Sequence, residues 1–317
     1  MAKTMIYVHM GMPKTGTSSL QHVLSSNCGA LSDAGLHYIS ANTVNANPWF
    51  EGLRPIHLKA LTKREIDARL HQTRETLFAK IKSGQTTILS AEVLSNLSPS
   101  HLLSIFSEVE CRFIAYVRDE ISFLASSYAQ LVHSSPAPTK LEDYLEGRLN
   151  NHLGNFLQKF SDALGDNFMP RIFIRDELKD GDIVADFFGS IFPELELPID
   201  LAETLHQHNP SISDQVIRFK LRLAESRPDL FTHNATHYSA LVRLSDQFGG
   251  RFRLPKSQYF WLADHFSEAQ ASWAPKFFGR PTIFDYHAYP FDGRPEGAYL
   301  SDSETAAMLE AYQDLIK

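Results

Sequence analysis

Short, nearly continuous apolar runs rich in β-branched and aromatic residues recur at Thr4–Met10, Leu36–Ser40, Thr86–Ser90, Cys111–Val117 and Arg171–Ile174. Between them, apolar residues return at helical spacing, as in Leu61–Lys82, Leu102–Phe106 and Ile121–Val132. Strands that are apolar throughout are buried on both faces. Their exchange with helices predicts an α/β fold, with a central parallel sheet covered on either side. After about Pro198 the strand pattern stops. The stretches SISDQVIRFKLRLAESRPDLF, HYSALVRLSDQFGGRF and PKSQYFWLADHFSEAQASWAPKFFG have helical periodicity punctuated by Pro and Gly, and Asp302–Ile316 predicts a last helix. The expected division is an α/β core over 1–200 and a mostly helical C-terminal region over 201–317. Surface loops are expected at Pro136–Pro138 and Gly293–Gly297.

Composition narrows the class without naming it. In 317 residues, 43% are hydrophobic and 21% charged, enough for a full core. A formal net charge of −7 argues against a protein that coats nucleic acid. Cys28 and Cys111 are the only cysteines, and Cys111 opens an apolar run, so a buried thiol is expected in place of a disulfide. The first strand begins within a few residues of Met1, and no apolar run approaches the ~18 residues of a membrane span. A cytoplasmic protein with no membrane span is expected.

The chemistry-bearing stretch is HMGMPKTGTSSLQHVL, His9 to Leu24, directly behind the first strand. A strand, a Gly-bearing bend and a helix start aim backbone N–H groups at one spot, where the positive end of the helix dipole favours an anion. Gly11 and Gly16 permit close backbone approach, and Lys14 adds a positive charge. Thr15, Thr17, Ser18 and Ser19 offer hydroxyls. The ATP-binding loop G-x-x-x-x-G-K-[ST] places its lysine after the second Gly; here Lys14 precedes Gly16 by two residues, so this is a different loop. The run Pro13-Lys14-Thr15-Gly16-Thr17-Ser18-Ser19 resembles the phosphosulfate-binding loop of sulfotransferases. That resemblance implies a P-loop-like three-layer fold and a 5′-phosphosulfate site for 3′-phosphoadenosine 5′-phosphosulfate (PAPS), with a 3′-phosphate site behind a later strand.

CRFIAYVRDEISFLASSYAQ is similar to that second site. The strand ends in Arg118, a helix starts near Asp119, Ser126 follows eight positions after the arginine, and Tyr128 two later. Arg118 offers a planar fork for phosphate and Ser126 a neutral donor. The family often has Pro where this chain has Glu120, an acid suited to the first turn of a helix. Both motifs fall at C-terminal strand ends, the edge where open α/β sheets bind ligands.

Sulfuryl transfer needs a base for the acceptor proton and a cation for the departing phosphate. Lys14 is the expected cation, and no metal is expected. Glu92, behind the strand TTILS at the same sheet edge, is the expected base, with His57 as its rival. His9 is expected only to face a neighbouring element. Trp49, Phe50, Trp261, Trp273, Tyr286 and His287 could stack on sugar rings of a glycan or other small acceptor, although aromatics at helical spacing are commonly core residues. Asp180 or Asp182 is expected to cap a helix whose core stripe is Phe187, Phe188 and Ile191. A P-loop kinase and a non-catalytic nucleotide binder of the same fold are the alternatives.

Overall fold

The computed structural model describes residues 5–42, 44–136, 138–150, 153–193, 212–224, 227–231, 235–250, 252–288 and 300–316. The expected loop at Gly293–Gly297 and the expected boundary near Pro198 lie outside them. Five strands, β1 Met5–Met10, β2 Leu36–Ile39, β3 Thr86–Ala91, β4 Glu110–Val117 and β5 Phe168–Ile172, form one parallel sheet in the order β2-β3-β1-β4-β5. Helices of seven or more residues are α1 Thr17–Ser26, α2 Lys63–Phe78, α3 Pro99–Ile105, α4 Glu120–Ser134, α5 Leu153–Leu164, α6 Ile183–Ile191, α7 Asp214–Ala224, α8 Ala235–Gln247, α9 Lys256–Phe278 and α10 Asp302–Ile316. The chain divides into two compact units. Met1–Arg118 with Asn155–Gln207 form the first, and Asp119–Gly154 with His208–Lys317 form the second.

In the first unit, register decides which side chains share a face. Val8 pairs with Leu89 and Phe113 on one face, and His9 pairs with Ser90 and Ile114 on the other. The His9 face carries a buried cluster that takes in Leu20 and Leu24 of α1 and Val184, Phe187 and Phe188 of α6. The opposite face packs Phe113 edge-on against Phe106, at the end of α3. Burial on both faces is why the strands read as unbroken apolar runs.

Sequence and structure differ in instructive ways at several ends. β5 covers Phe168–Ile172, earlier than the expected Arg171–Ile174, and has Pro170 inside it. A proline cannot donate to a ladder, but β5 is the last strand in the order and has a neighbour on one side only. α2 is shorter than Leu61–Lys82 because Thr62 and Glu65 form a reciprocal capping box that starts it at Lys63. Asp182 caps α6, accepting from the N–H groups of Val184 and Ala185 at 2.8 and 3.0 Å. Phe187, Phe188 and Ile191 are buried as expected, as is Cys111, while Cys28 is exposed; both thiols are free.

The second unit is helical in its described residues. Its α10 spans the expected Asp302–Ile316, with Tyr312 buried against Phe219 and Phe231. Among the described residues, no helix is long and apolar enough to cross a membrane.

Glu120, which stands where the resembled family often has Pro, is the first residue of α4 but is not a solvated dipole partner. It is 6% exposed, accepts from the N–H of Leu153 at 3.2 Å and takes a hydrogen bond from the hydroxyl of Tyr286. Burial pushes its carboxyl up to about 7 against the lowering effect of those bonds. A carboxyl raised on folding contributes stability that is full below its ordinary pKa and is lost as the pH rises toward about 7. Glu120→Gln keeps a bonding group without the charge. It should therefore flatten the decline in stability between mildly acidic pH and neutrality, with a gain at pH 8 of order 3 kcal/mol. Urea titrations of both proteins across that range check it.

Candidate functional site

Three neighbouring strands, β3, β1 and β4, end at the same edge of the first unit, and each is followed by an expected site residue. After β1, the Gly11 N–H reaches the carbonyl of Ala91 at 3.3 Å. The chain then turns through Lys14 and Gly16, both left-handed, with φ of 68° and 72°. Left-handed backbone suits glycine and is uncommon for lysine. The hydroxyls of Thr15 and Thr17 donate to the carbonyl of Met12 at 2.7 and 3.2 Å, closing the loop on itself. Both threonines are buried; Ser18 and Ser19 are exposed.

The loop delivers α1 with an unsatisfied start. Gly16 stands at its N-cap with no side-chain cap, and its first turn has no acidic residue. By contrast, Asp182 caps α6 and Asp119 caps α4. No side chain caps the first amides of α1, and the positive end of the helix dipole at that point suits an anion.

Side chains from the flanking strands gather here. Arg118, following β4, donates from Nη1 to the carbonyl of Lys14 at 2.7 Å. Glu92, following β3, opens a 3-10 turn, and a Cβ at Gly11 would lie 3.0 Å from its Cγ and 2.5 Å from Cγ2 of Thr17. Gly11 therefore lets the loop, the helix and the carboxylate close together. Ser95 reinforces the turn by bonding the carbonyls of Glu92 and Gly11.

The electrostatics couple the same groups. Burial raises the Glu92 carboxyl above the ordinary range, while the charges of Lys14 and Arg54 pull it back. Burial lowers the Lys14 ammonium; Glu92 opposes that shift and Arg118 adds to it. Arg54 belongs to no motif in the sequence; its one signal there is a guanidinium in the polar-aromatic segment between Trp49 and His57. His57 is exposed beside Glu51, 3.8 Å from its carboxylate.

A buried tether supports the site from beneath. Ser90 hydrogen-bonds Nδ1 of His9 at 2.8 Å and accepts from Nε2 of Gln21, on α1, at 3.1 Å. Burial lowers His9 to about 3, so the ring is neutral. With Gln21 donating to the serine oxygen, the serine proton is free to go to Nδ1, and the tether fixes α1 to β3 one strand position before Ala91-Glu92.

In the second unit, Ser126 lines a hollow of about 220 Å³ together with Ser122, Phe252, Arg253 and Tyr259. A guanidinium, three hydroxyls and two aromatic rings on one hollow suit an anionic or heteroaromatic guest. Arg253 was also missed in sequence; its signal was the basic, Gly-preceded run GGRFRLP. Tyr128 is buried and donates to the carbonyl of Thr139. Of the aromatics considered for sugar stacking, Phe50, Trp273 and Tyr286 are core residues; Trp261 and His287 are exposed, and Trp49 is half-buried. Among the described residues, no group of three or more His, Cys, Asp or Glu could hold a metal ion.

No protein-family model matches the chain, and no curated protein sequence does. Among solved structures it is similar to a sulfotransferase from Alicyclobacillus acidocaldarius, with 13% identity, 90% of this chain and 100% of that chain covered, and a TM-score of 0.43. It is also similar to a retinol dehydratase solved with androsterone and the inactive cofactor PAP, with 13% identity, 99% of this chain and 80% of that chain covered, and a TM-score of 0.29.

Proposed function

We propose that this chain is a sulfotransferase that moves a sulfuryl group from PAPS to a hydroxyl of a carbohydrate acceptor. The observation that carries the reading is one cluster in the first unit. It combines an uncapped helix start, a left-handed lysine, a guanidinium bonded to that lysine's carbonyl and a raised carboxylate. The cluster fits an anionic donor beside a base. Nothing in it requires the Lys-after-Gly arrangement of an ATP loop.

When bound, PAPS supplies an activated sulfuryl group on a phosphate leaving group. The N–H groups at the start of α1 and the Lys14 ammonium hold the 5′-phosphosulfate and stabilise the negative charge that grows on the bridging oxygen as its bond to sulfur breaks. Arg118 serves the 3′-phosphate, its fork steadied by the Lys14 carbonyl. Glu92 takes the acceptor's O–H proton as the oxygen forms its bond to sulfur; its raised pKa brings it closer to working pH. The products are a sulfate ester and 3′-phosphoadenosine 5′-phosphate (PAP).

The test is a thermal-shift titration with PAP against ATP–Mg²⁺, followed by incubation with labelled PAPS and an acceptor extract. PAP should stabilise the protein and ATP–Mg²⁺ should not; at 100 times its Kd, a ligand adds about 2.7 kcal/mol. Arg118→Ala should weaken PAP by roughly 10- to 100-fold, the loss of a charge-assisted bond. Stabilisation by ATP–Mg²⁺ alone would overturn the reading.

A further inference from the structure

A second cleft in the first unit belongs to none of the machinery above. It has a volume of about 320 Å³ and is lined by Pro48, Trp49, Gly52, Leu53, Arg69, Gln72, Thr73 and Thr76. That size is at the lower end of the range for small-ligand sites. One wall is the short helical segment that carries Trp49, and the other is the outer face of α2. Thr73 joins the walls by donating to the carbonyl of Trp49 at 3.3 Å. Arg69 joins them again, donating from Nη1 to the carbonyl of Gly52 at 3.0 Å.

The chemistry of the lining is specific. A half-buried indole offers an apolar plate for the C–H face of a pyranose ring. Gln72 and Thr76, both exposed, offer an amide and a hydroxyl. Arg69 commits Nη1 to the Gly52 carbonyl and is otherwise exposed, with Glu65 one helical turn away as the carboxylate its charge already acts on. The N–H groups not on Gly52 suit a planar anion such as a carboxylate. The surroundings agree in sign. Residues 51–82 hold eight Lys and Arg against four Asp and Glu, in a chain whose net charge is −7.

The cleft is also tied to the catalytic edge. The segment that bears Trp49 is fixed to β3 by the bond from Ala46 N–H to the Ser90 carbonyl, 3.0 Å, and by the bond from Val93 N–H to Oδ1 of Asn47, 3.2 Å. These contacts flank Glu92 in sequence, and the neighbouring Arg54 acts on its charge. An acceptor chain several sugars long could thus be held away from its reacting hydroxyl and still be registered to it.

We propose that the Trp49–Arg69 cleft is a subsite for a uronate, a carboxylate-bearing sugar unit of the acceptor chain. The proposal rests on the sulfotransferase reading and assigns the class of carbohydrate that reading leaves open. Calorimetric titration of the full chain tests it, using a tetrasaccharide of alternating glucuronate and N-acetylglucosamine and its carboxyl-reduced, neutral counterpart. The wild type should bind the acidic form at least ~10-fold more tightly, the discrimination one charge-assisted bond supplies. Arg69→Gln should erase that preference, and Gln72→Ala or Thr76→Ala, on the exposed face of α2, should weaken binding of both forms. A parallel PAP thermal shift on each variant should be unchanged from wild type. Equal binding of the two sugars, no binding of either, or a preference that survives Arg69→Gln overturns the subsite while PAP stabilisation leaves the parent reading intact. Loss of PAP stabilisation in the wild type itself overturns the parent reading instead.

Discussion

Glu92→Gln should lower the rate of sulfuryl transfer by about 10²- to 10⁴-fold, the range contributed by a positioned general base, and leave PAP binding unchanged. The amide keeps the shape of the carboxylate at the Gly11 contact and removes only its capacity to take a proton. The pH profile separates this from a packing defect. Because burial raises the Glu92 carboxyl, the wild-type rate should climb with pH through a value above the ordinary glutamate range as the base loses its proton. That acidic limb should be absent in the variant. Labelled PAPS with a turnover-competent acceptor, assayed across mildly acidic to neutral pH, supplies both readouts. A variant as active as the wild type would remove Glu92 from the mechanism and return His57 to consideration.

Asp186→Ala should cost the fold about 2–3 kcal/mol, below the roughly 3–5 kcal/mol of a fully buried ion pair because the Arg171 side chain is 34% exposed. Asp186, on α6, is 3% exposed and fully engaged. Its Oδ1 accepts from Nε of Arg171 and from the hydroxyl of Tyr116, each at 2.7 Å. Its Oδ2 accepts from Nη2 of Arg171 at 2.9 Å and from the N–H of Lys179 at 3.1 Å. Removing the carboxylate leaves the buried Tyr116 hydroxyl without its acceptor and a partly exposed Arg171 guanidinium without its counter-charge. Burial alone would raise this carboxyl, but the bonds from Arg171 and Tyr116 outweigh it and hold the pKa below the ordinary value. The sign is opposite to that of Glu120. The contribution of Asp186 is full above the ordinary carboxylate pKa and is lost as the pH falls through the lowered one. Urea unfolding at neutral pH measures the loss, and a midpoint equal to that of the wild type would refute it.

The core strands were legible because burial on both faces leaves no alternation to misread, and the last helix because its amphipathic spacing runs from Asp302 to Ile316. β5 begins ahead of its apolar run, at Phe168, and the Pro170 inside it is tolerated only through an edge position that depends on the whole sheet. The bend between β1 and α1 was visible in Gly11, Lys14 and Gly16. The left-handed turn at Lys14 was not, since lysine carries no sign of positive φ. Nor could residue order show that Thr15 and Thr17 spend their protons on Met12. Glu120 was the largest surprise. In sequence it is an ordinary first-turn acid, and its burial depends on Leu153 and on Tyr286, well over a hundred positions away. Arg54, Arg69 and Arg253 were passed over for a related reason. An arginine outside a motif is uninformative until the fold shows what stands beside it.

The conformation of Lys14 bears on how a ligand would be received. Left-handed backbone at a residue with a side chain costs of order 1–2 kcal/mol, and the two threonine bonds and the Arg118 bond brace the loop in that conformation. The awkward geometry is thus tied into the chain's own hydrogen bonds. Docking then sacrifices little further freedom in the loop, so more of each new contact is expressed as affinity.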